Sequence, residues 1–196
     1  MSKTVDSEIL TAKGISLLAN PILVLFVTFV IGNFSRIRAE WEIFGIFILI
    51  GCFFPMLLYV HYLYIHRKSI WNYTAIPRAK RDNLFLTVII PFCLNLMLFI
   101  YTGQSKFWVY TSMLMVIFFA CFYLLNRFID KASLHTGMFS FSILYLTNRV
   151  SVAFAILLVL IPFIAWSRVK LHKHTWFQLM LGMVVGMFLA LLSWTF

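Results

Sequence analysis

The chain has 196 residues, of which 63% are hydrophobic and only 11% charged, with a mean hydropathy of +0.96. That balance excludes an ordinary soluble domain and predicts an all-α, polytopic transmembrane helix bundle of about six or seven spans, one membrane-embedded domain over 1–196. The net charge of +10 would suggest nucleic acid for a soluble protein. Here the Lys and Arg residues sit in short gaps between apolar runs, so no nucleic acid is expected, and anionic membrane phospholipids are the partners instead.

The N-terminal MSKTVDSEILTAKG opens with mixed charge and lacks a cleavable signal pattern. Apolar runs follow at about 15–33, 43–65, 84–102, 107–128, 133–147, 150–166 and 175–196, most of them near the ~20 residues a bilayer-crossing helix needs. The first two runs read as two additional N-terminal spans ahead of a core over about 66–196. Pro21, Pro55, Pro91 and Pro162 fall inside runs, where neighbouring helices can satisfy the freed carbonyls. Cys52, Cys93 and Cys121 lie singly in apolar surroundings without a C-x-x-C and read as small buried hydrophobes. His61 and His66 have no partner motif and read as packing residues. The stretch from Ser133 to Trp166 cannot be one membrane helix, since about 34 residues would reach about 51 Å against a hydrocarbon core of about 30 Å. A break at Thr147-Asn148-Arg149 gives a hairpin. The gaps at 66–83, 129–134 and 167–174 then open on one face together with the N-terminus.

Those three gaps hold most of the polar chemistry. In the first, Arg78, Lys80 and Arg81 follow Pro77; taken alone they read as a positive-inside anchor. In the second, Ser133 and His135 stand at the opening of a helix. The third is Ser167 to Gln178, SRVKLHKHTWFQ, where Arg168 and His174 are six residues apart. That separation is roughly 240° around a helix, so the two can meet only across an irregular loop. Thr175 and Gln178 form a Thr-x-x-Gln capping box that starts the next helix. His174 is thereby left at a helix N-terminus, where orphan N–H groups and the dipole favour an anion. The acids in these gaps, Asp82 and Asp130, have no partner at metal-ligand spacing, so neither a metal nor another cofactor is expected. Two histidines, a serine and several cations suit metal-free phosphoryl transfer. Fixed positive charge would stabilise the transition state, and imidazoles would attack and deliver a proton.

At these residues the chain resembles the type 2 phosphatidic acid phosphatases, membrane relatives of the vanadium haloperoxidases. The family's third motif is Ser-Arg, five residues, His, three residues, Asp; this chain has Ser167-Arg168, five residues, His174, three residues, Gln178. The second motif, Pro-Ser-Gly-His, is met by Ala132-Ser133-Leu134-His135, which keeps the Ser and the His. The first motif, Lys, six residues, Arg-Pro, has no literal match. Arg78-Ala79-Lys80-Arg81 is similar to the compact Arg-x-x-Arg form of divergent bacterial members, which also carry His-Thr-x-x-Gln. The resemblance covers about 66–196.

The resemblance implies that His174 attacks phosphorus to form a phosphohistidine and that His135 protonates the leaving oxygen. It implies further that Arg168, Arg78, Arg81 and Lys80 neutralise the phosphoryl oxygens, that Ser133 donates a hydrogen bond, and that Gln178 orients His174 where the family has an acid. The implied protein is a multi-pass lipid phosphatase, a phosphoric ester hydrolase whose substrate is a lipid phosphate or diphosphate. A second reading keeps the same arginines as a headgroup clamp in a catalytically weak relative, or one that acts in a membrane complex. A transporter would need paired polar breaks in related halves, which are missing. Acyltransferase His-x-x-x-x-Asp and clustered-aspartate phosphotransferase patterns do not occur. Two arguments on sidedness disagree. The positive-inside rule puts the site in the cytoplasm, because only Arg36, Arg38, Lys106 and Arg149 lie on the opposite face. The resemblance to bacterial members places it on the extracytoplasmic side of the cell membrane, and that side is the one expected here.

Overall fold

The computed structural model describes residues 2–54, 57, 61 and 78–195, and among them it contains helices and no strand. Helix α1 covers Ser2–Leu18 and α2 covers Pro21–Gly32. Asn20 separates them by capping α2: its side-chain oxygen accepts from the N–H groups of Ile22 at 3.0 Å and Leu23 at 3.5 Å. Pro21 takes the first turn, where a missing N–H costs nothing. The stretches Ser7–Leu18 and Pro21–Gly32 meet at 44°. The first apolar run, expected as one span over 15–33, is therefore divided. Its opening residues belong to a helix that starts at Ser2, because Asn20-Pro21 makes a true break where a tolerated kink was expected.

Short helices α3, Phe34–Ala39, and α4, Trp41–Ile48, follow, and α4 runs into a wider π-helical turn at Leu49–Phe53. Helix α5, Arg78–Tyr101, carries Pro91 inside it. Helix α6, Lys106–Leu124, again widens into a π turn at Leu125–Ile129. Helix α7, Leu134–Arg149, ends within the expected break. Ser151 then caps a tight 3-10 stretch, Val152–Leu160, by accepting from Ala153 N–H at 3.2 Å. That stretch continues into α8, Ile161–Lys170, with Pro162 in its first turn. Helix α9 is Trp176–Leu192, followed by a last turn at Ser193–Thr195.

The chain divides into two compact units, one of residues 1–34 with 131–195 and one of residues 35–130. The second, central unit is filled with rings. Phe47 lies 5.8 Å from Trp108, Phe92 stacks on Phe119 at 5.8 Å, and Phe118 on Phe122 at 4.9 Å, centroid to centroid. The Glu40 carboxylate accepts from the buried Trp108 indole and from Ser105 Oγ. Asn95 reaches 48 residues back to donate to the Phe47 carbonyl at 3.1 Å.

The split unit, 1–34 with 131–195, is closed by small residues instead. A Cβ on Gly182 would stand 2.3 Å from the Ser133 carbonyl oxygen, and one on Gly186 would stand 2.0 Å from that of Gly137. Only glycine lets α9 lie this close to α7, and hydroxyls use the closeness. Thr136 Oγ1 donates to Leu179 O at 3.0 Å and Ser140 Oγ to Met183 O at 3.2 Å. Helix α2 packs on α7 in the same way, with Gly32 against the Tyr145 ring and the Tyr145 hydroxyl donating to Asn33 Oδ1 at 3.0 Å.

Among the described residues two helices are long and apolar enough to cross a membrane, Lys106–Ile129 and Val152–Lys170, or three if the bent pair of α1 and α2 is one span. Trp41–Phe53, Phe85–Tyr101 and Trp176–Leu192 are apolar but shorter. The three cysteines are free and half-buried, where full burial was expected. His61 is exposed, where a packing role was expected; His66, Pro55 and Pro77 lie outside the described residues.

Candidate active site

The Ser167–Gln178 stretch is a turn with a lock at each end. Helix α8 closes with a Schellman pattern: Lys173 N–H donates to Arg168 O at 3.0 Å and His172 N–H to Val169 O at 2.8 Å. The pattern requires a left-handed residue, usually glycine, and His172 fills the place at φ 51°. At the other end the capping box predicted from Thr175 and Gln178 is formed in both directions. Thr175 Oγ1 accepts from Gln178 N–H at 3.4 Å, and Gln178 Oε1 accepts from Thr175 N–H at 3.3 Å. Leu171 to His174 is all that lies between these locks, so the backbone from Arg168 to His174 has little freedom. The stretch is the irregular loop that the six-residue separation demanded.

The capping box also sets the chemistry of the imidazole. Gln178 Oε1 lies 3.2 Å from His174 Nδ1. A backbone N–H can only donate, so the amide atom that faces Thr175 N–H is the oxygen. An amide oxygen can only accept, so Nδ1 of His174 carries the proton. In the neutral ring Nε2 then keeps its lone pair. His174 is 9% exposed, while His172, two residues earlier, is on the surface.

The start of α7 is tied to this turn. Ser133, the residue that opens α7, donates its N–H to the Gln178 carbonyl at 3.0 Å, and Lys131 Nζ donates to the Lys173 carbonyl at 2.9 Å. The N-termini of α7 and α9 therefore lie side by side, and both direct their positive dipole ends to the same region. His135 stands in the first turn of α7 and is buried. Ser133 is 0% exposed, yet its hydroxyl does not cap α7 and meets no hydrogen-bond partner among the described residues. A buried hydroxyl left over at a doubled helix start suits an incoming oxyanion.

Positive charge gathers at the same turn. Arg168, 2% exposed, sits in the last turn of α8, where the dipole favours a cation. Its Nη1 donates to Ser16 Oγ at 2.6 Å. Lys173 has its pKa held below the ordinary lysine value, first by burial and then by the Arg168 charge. The structure thus joins Ser133, Arg168, His174 and Gln178 in one hydrogen-bonded frame with His135 in its first helical turn. Arg78, Lys80 and Arg81 form the first turn of α5 in the central unit, and their side chains lie outside the described residues. Within that unit Asp82 anchors the turn, accepting from Asn126 Nδ2 at 2.9 Å and from Arg127 Nη1 at 3.0 Å.

Three contributors escaped the reading from sequence. Lys131 was visible only as one more gap lysine. Thr136 was visible only as the neighbour of His135. Ser16 lies 152 residues from the arginine it meets, and its one signal was the small-residue spacing Ala12, Ser16, Ala19.

Residues 109–196 match the family model of the PAP2 superfamily. No curated protein and no solved structure matches the chain. The matched stretch contains Ser133, His135, Arg168, His174 and Gln178, and over it the chain is similar to the PAP2 superfamily.

Proposed function

We propose that this protein is a multi-pass membrane phosphatase that removes phosphate from a lipid phosphate or diphosphate through a phosphohistidine. The observation that carries the reading is the Thr175–Gln178–His174 chain of hydrogen bonds, which leaves Nε2 of a buried histidine with its lone pair, in a stretch that also holds a buried arginine. Nε2 forms the new bond to phosphorus as the bond to the lipid oxygen breaks, and His135 gives that oxygen its proton. His135, now a base, takes a proton from water, which displaces His174 and releases phosphate. Arg168 neutralises the phosphoryl oxygens, and the Ser133 hydroxyl donates to one of them. Among the described residues no three of His, Cys, Asp and Glu gather as metal ligands, and the steps above use no metal.

In this reading about six or seven helical segments cross or enter the membrane, with the shorter apolar helices supported by their neighbours. The face of α9 that bears Phe177, Met180, Val184 and Phe188 is exposed and suits contact with lipid tails. Trp176 and Phe177, both exposed beside His174, suit the headgroup level, where a lipid phosphate would meet the site. The site faces the extracytoplasmic side.

The test is phosphate release by purified protein, in the presence of a chelator, from phosphatidate, phosphatidylglycerophosphate, polyprenyl diphosphate and a lipid-linked saccharide phosphate. Release from at least one is expected, together with an acid-labile phosphoenzyme. Failure with all four would favour the second reading, a catalytically weak headgroup binder. That reading is supported by Gln178, whose neutral amide cannot stabilise His174 as a cation as the family's acid would. Labelling single cysteines placed near Lys106 and Lys173 with an impermeant thiol reagent, in a background without the native three, tests the sidedness.

A further inference from the structure

The family match begins at residue 109, so it assigns no role to α1. Yet α1 supplies a partner to the buried arginine of the site. Ala12 and Ser16 of α1, with Ala19 just past its end, are buried at spacings of four and three, which puts three small side chains on one side. Small residues let two helix backbones approach closely, and on this face the Ser16 hydroxyl meets the guanidinium carried by α8. The contact is short, Arg168 Nη1 donating to Ser16 Oγ at 2.6 Å, and Ser16 is itself only 7% exposed. A second tie joins the same helices further out, between Glu8 and Lys170, both more open to solvent.

The choice of partners is informative. The carboxylate of α1 meets the outer lysine, whereas the buried arginine receives a neutral hydroxyl. A carboxylate at position 16 would fix the guanidinium equally well but would cancel the charge a phosphoryl group needs. A hydroxyl fixes its direction and leaves the charge intact. We infer that α1 is part of the active site and that Ser16 is a positioning residue, holding Arg168 so that the guanidinium presents its charge to the phosphoryl group. The inference rests on the function proposed above.

The test uses the full-length protein and two readouts: kcat and KM on the best lipid phosphate, and the dissociation constant of orthovanadate from its effect on the thermal midpoint. Ser16→Ala should lower kcat about tenfold or more, the scale of one lost hydrogen bond to a charged group, with KM within about threefold. It should weaken vanadate binding by a similar factor, and Ser16→Thr, which keeps the hydroxyl, should restore both. Ser16→Asp keeps an acceptor and neutralises Arg168, so it should bind vanadate more weakly than Ser16→Ala. It also serves if the alanine variant does not fold. Thr11→Ala, where the exposed hydroxyl donates along its own helix to Ser7 O, should match the wild type. A wild type active on lipid phosphates, with kcat and vanadate affinity unchanged in Ser16→Ala, would overturn the positioning role and leave the phosphatase reading intact. A wild type inactive on every lipid would end the phosphatase reading. The vanadate constants would then decide alone: weakening in Ser16→Ala upholds the positioning of an anion-binding arginine, and no change, or no binding by the wild type, overturns it.

Discussion

The interior of the central unit and the α7–α9 seam of the split unit are filled with opposite materials. Residues 35–130 are packed with rings such as Phe92, Trp108 and Phe118, whose contacts run through long side chains. In the split unit the interior between α7 and α9 is mostly backbone, with glycine at 182 and 186 and the Thr136 and Ser140 hydroxyls on facing carbonyls. Rings can shift by tenths of an ångström when a neighbour changes, so a ring-filled interior absorbs error. Two backbones in direct contact cannot. The unit that carries Arg168, His174 and Ser133 is the one built this way, which suits the proposed phosphate site, since such a site needs its N–H groups and cations held within about 0.5 Å.

The comparison breaks most visibly at the proposed nucleophile. His174→Ala should lower phosphate release by several orders of magnitude with little change in the thermal midpoint, since uncatalysed phosphate ester hydrolysis is very slow. Phe92→Ala in the central unit should do the reverse. Truncating this buried ring should cost about 3–5 kcal/mol of stability, while the folded fraction keeps its kcat within a few-fold. A midpoint for His174→Ala that falls as far as that for Phe92→Ala would contradict the contrast.

Glycines offer the next largest difference. Gly186→Val would drive a side chain into the Gly137 carbonyl and should separate α9 from α7, with a loss of turnover of about 100-fold or more, or no folded protein. At Gly45, in α4 of the central unit, an added Cβ meets nothing within 4 Å. Gly45→Ala should therefore be neutral or stabilising by up to about 1 kcal/mol, measured by thermal unfolding.

Gln178→Glu sharpens the picture within the site. Glutamate serves a capping box as well as glutamine does, so the fold should persist. The new carboxylate favours the protonated imidazole and raises the pKa of His174, and the proposed nucleophile is the neutral ring. The acid limb of kcat/KM should accordingly move to higher pH, by about one unit. Above that limb the rate should rise, because the phosphohistidine ring carries positive charge. A pH profile identical to the wild type would mean that residue 178 does not govern His174.

The smallest effect belongs to His172. Its left-handed backbone costs a non-glycine residue roughly 1–2 kcal/mol, so His172→Gly should be neutral to slightly stabilising. His172→Ala should stay within about tenfold of wild-type turnover. If His172→Ala abolished phosphate release and His174→Ala did not, the assignment of Ser167–Gln178 as the phosphatase motif would be wrong.

These contrasts also mark where sequence was legible. The capping box could be read from Thr175 and Gln178 because every atom it uses lies within one helical turn. The end of α7 could be read because helix length has a physical limit in a membrane. The closure of α8 escaped because its Schellman pattern usually announces itself with glycine, and His172 stands in that place. Asn20-Pro21 carried a helix-start signal that the surrounding apolar run concealed. Ser16 was out of reach for a different reason: a pairing across 152 residues depends on which helices become neighbours, and local pattern does not encode that.

The division of the split unit into 1–34 and 131–195 has a consequence for biosynthesis. Helix α1 leaves the ribosome about a hundred residues before the α7–α9 segment that completes its unit, a delay of about 5–20 s at ordinary elongation rates. Throughout that interval its polar groups must wait without their partners, in the proposed setting beside lipid. A serine can wait at little cost, because its hydroxyl can turn back onto a carbonyl of its own helix until Arg168 arrives. A buried charge at position 16 would have no such shelter, so the order of synthesis, as much as the chemistry of the finished site, favours a hydroxyl there.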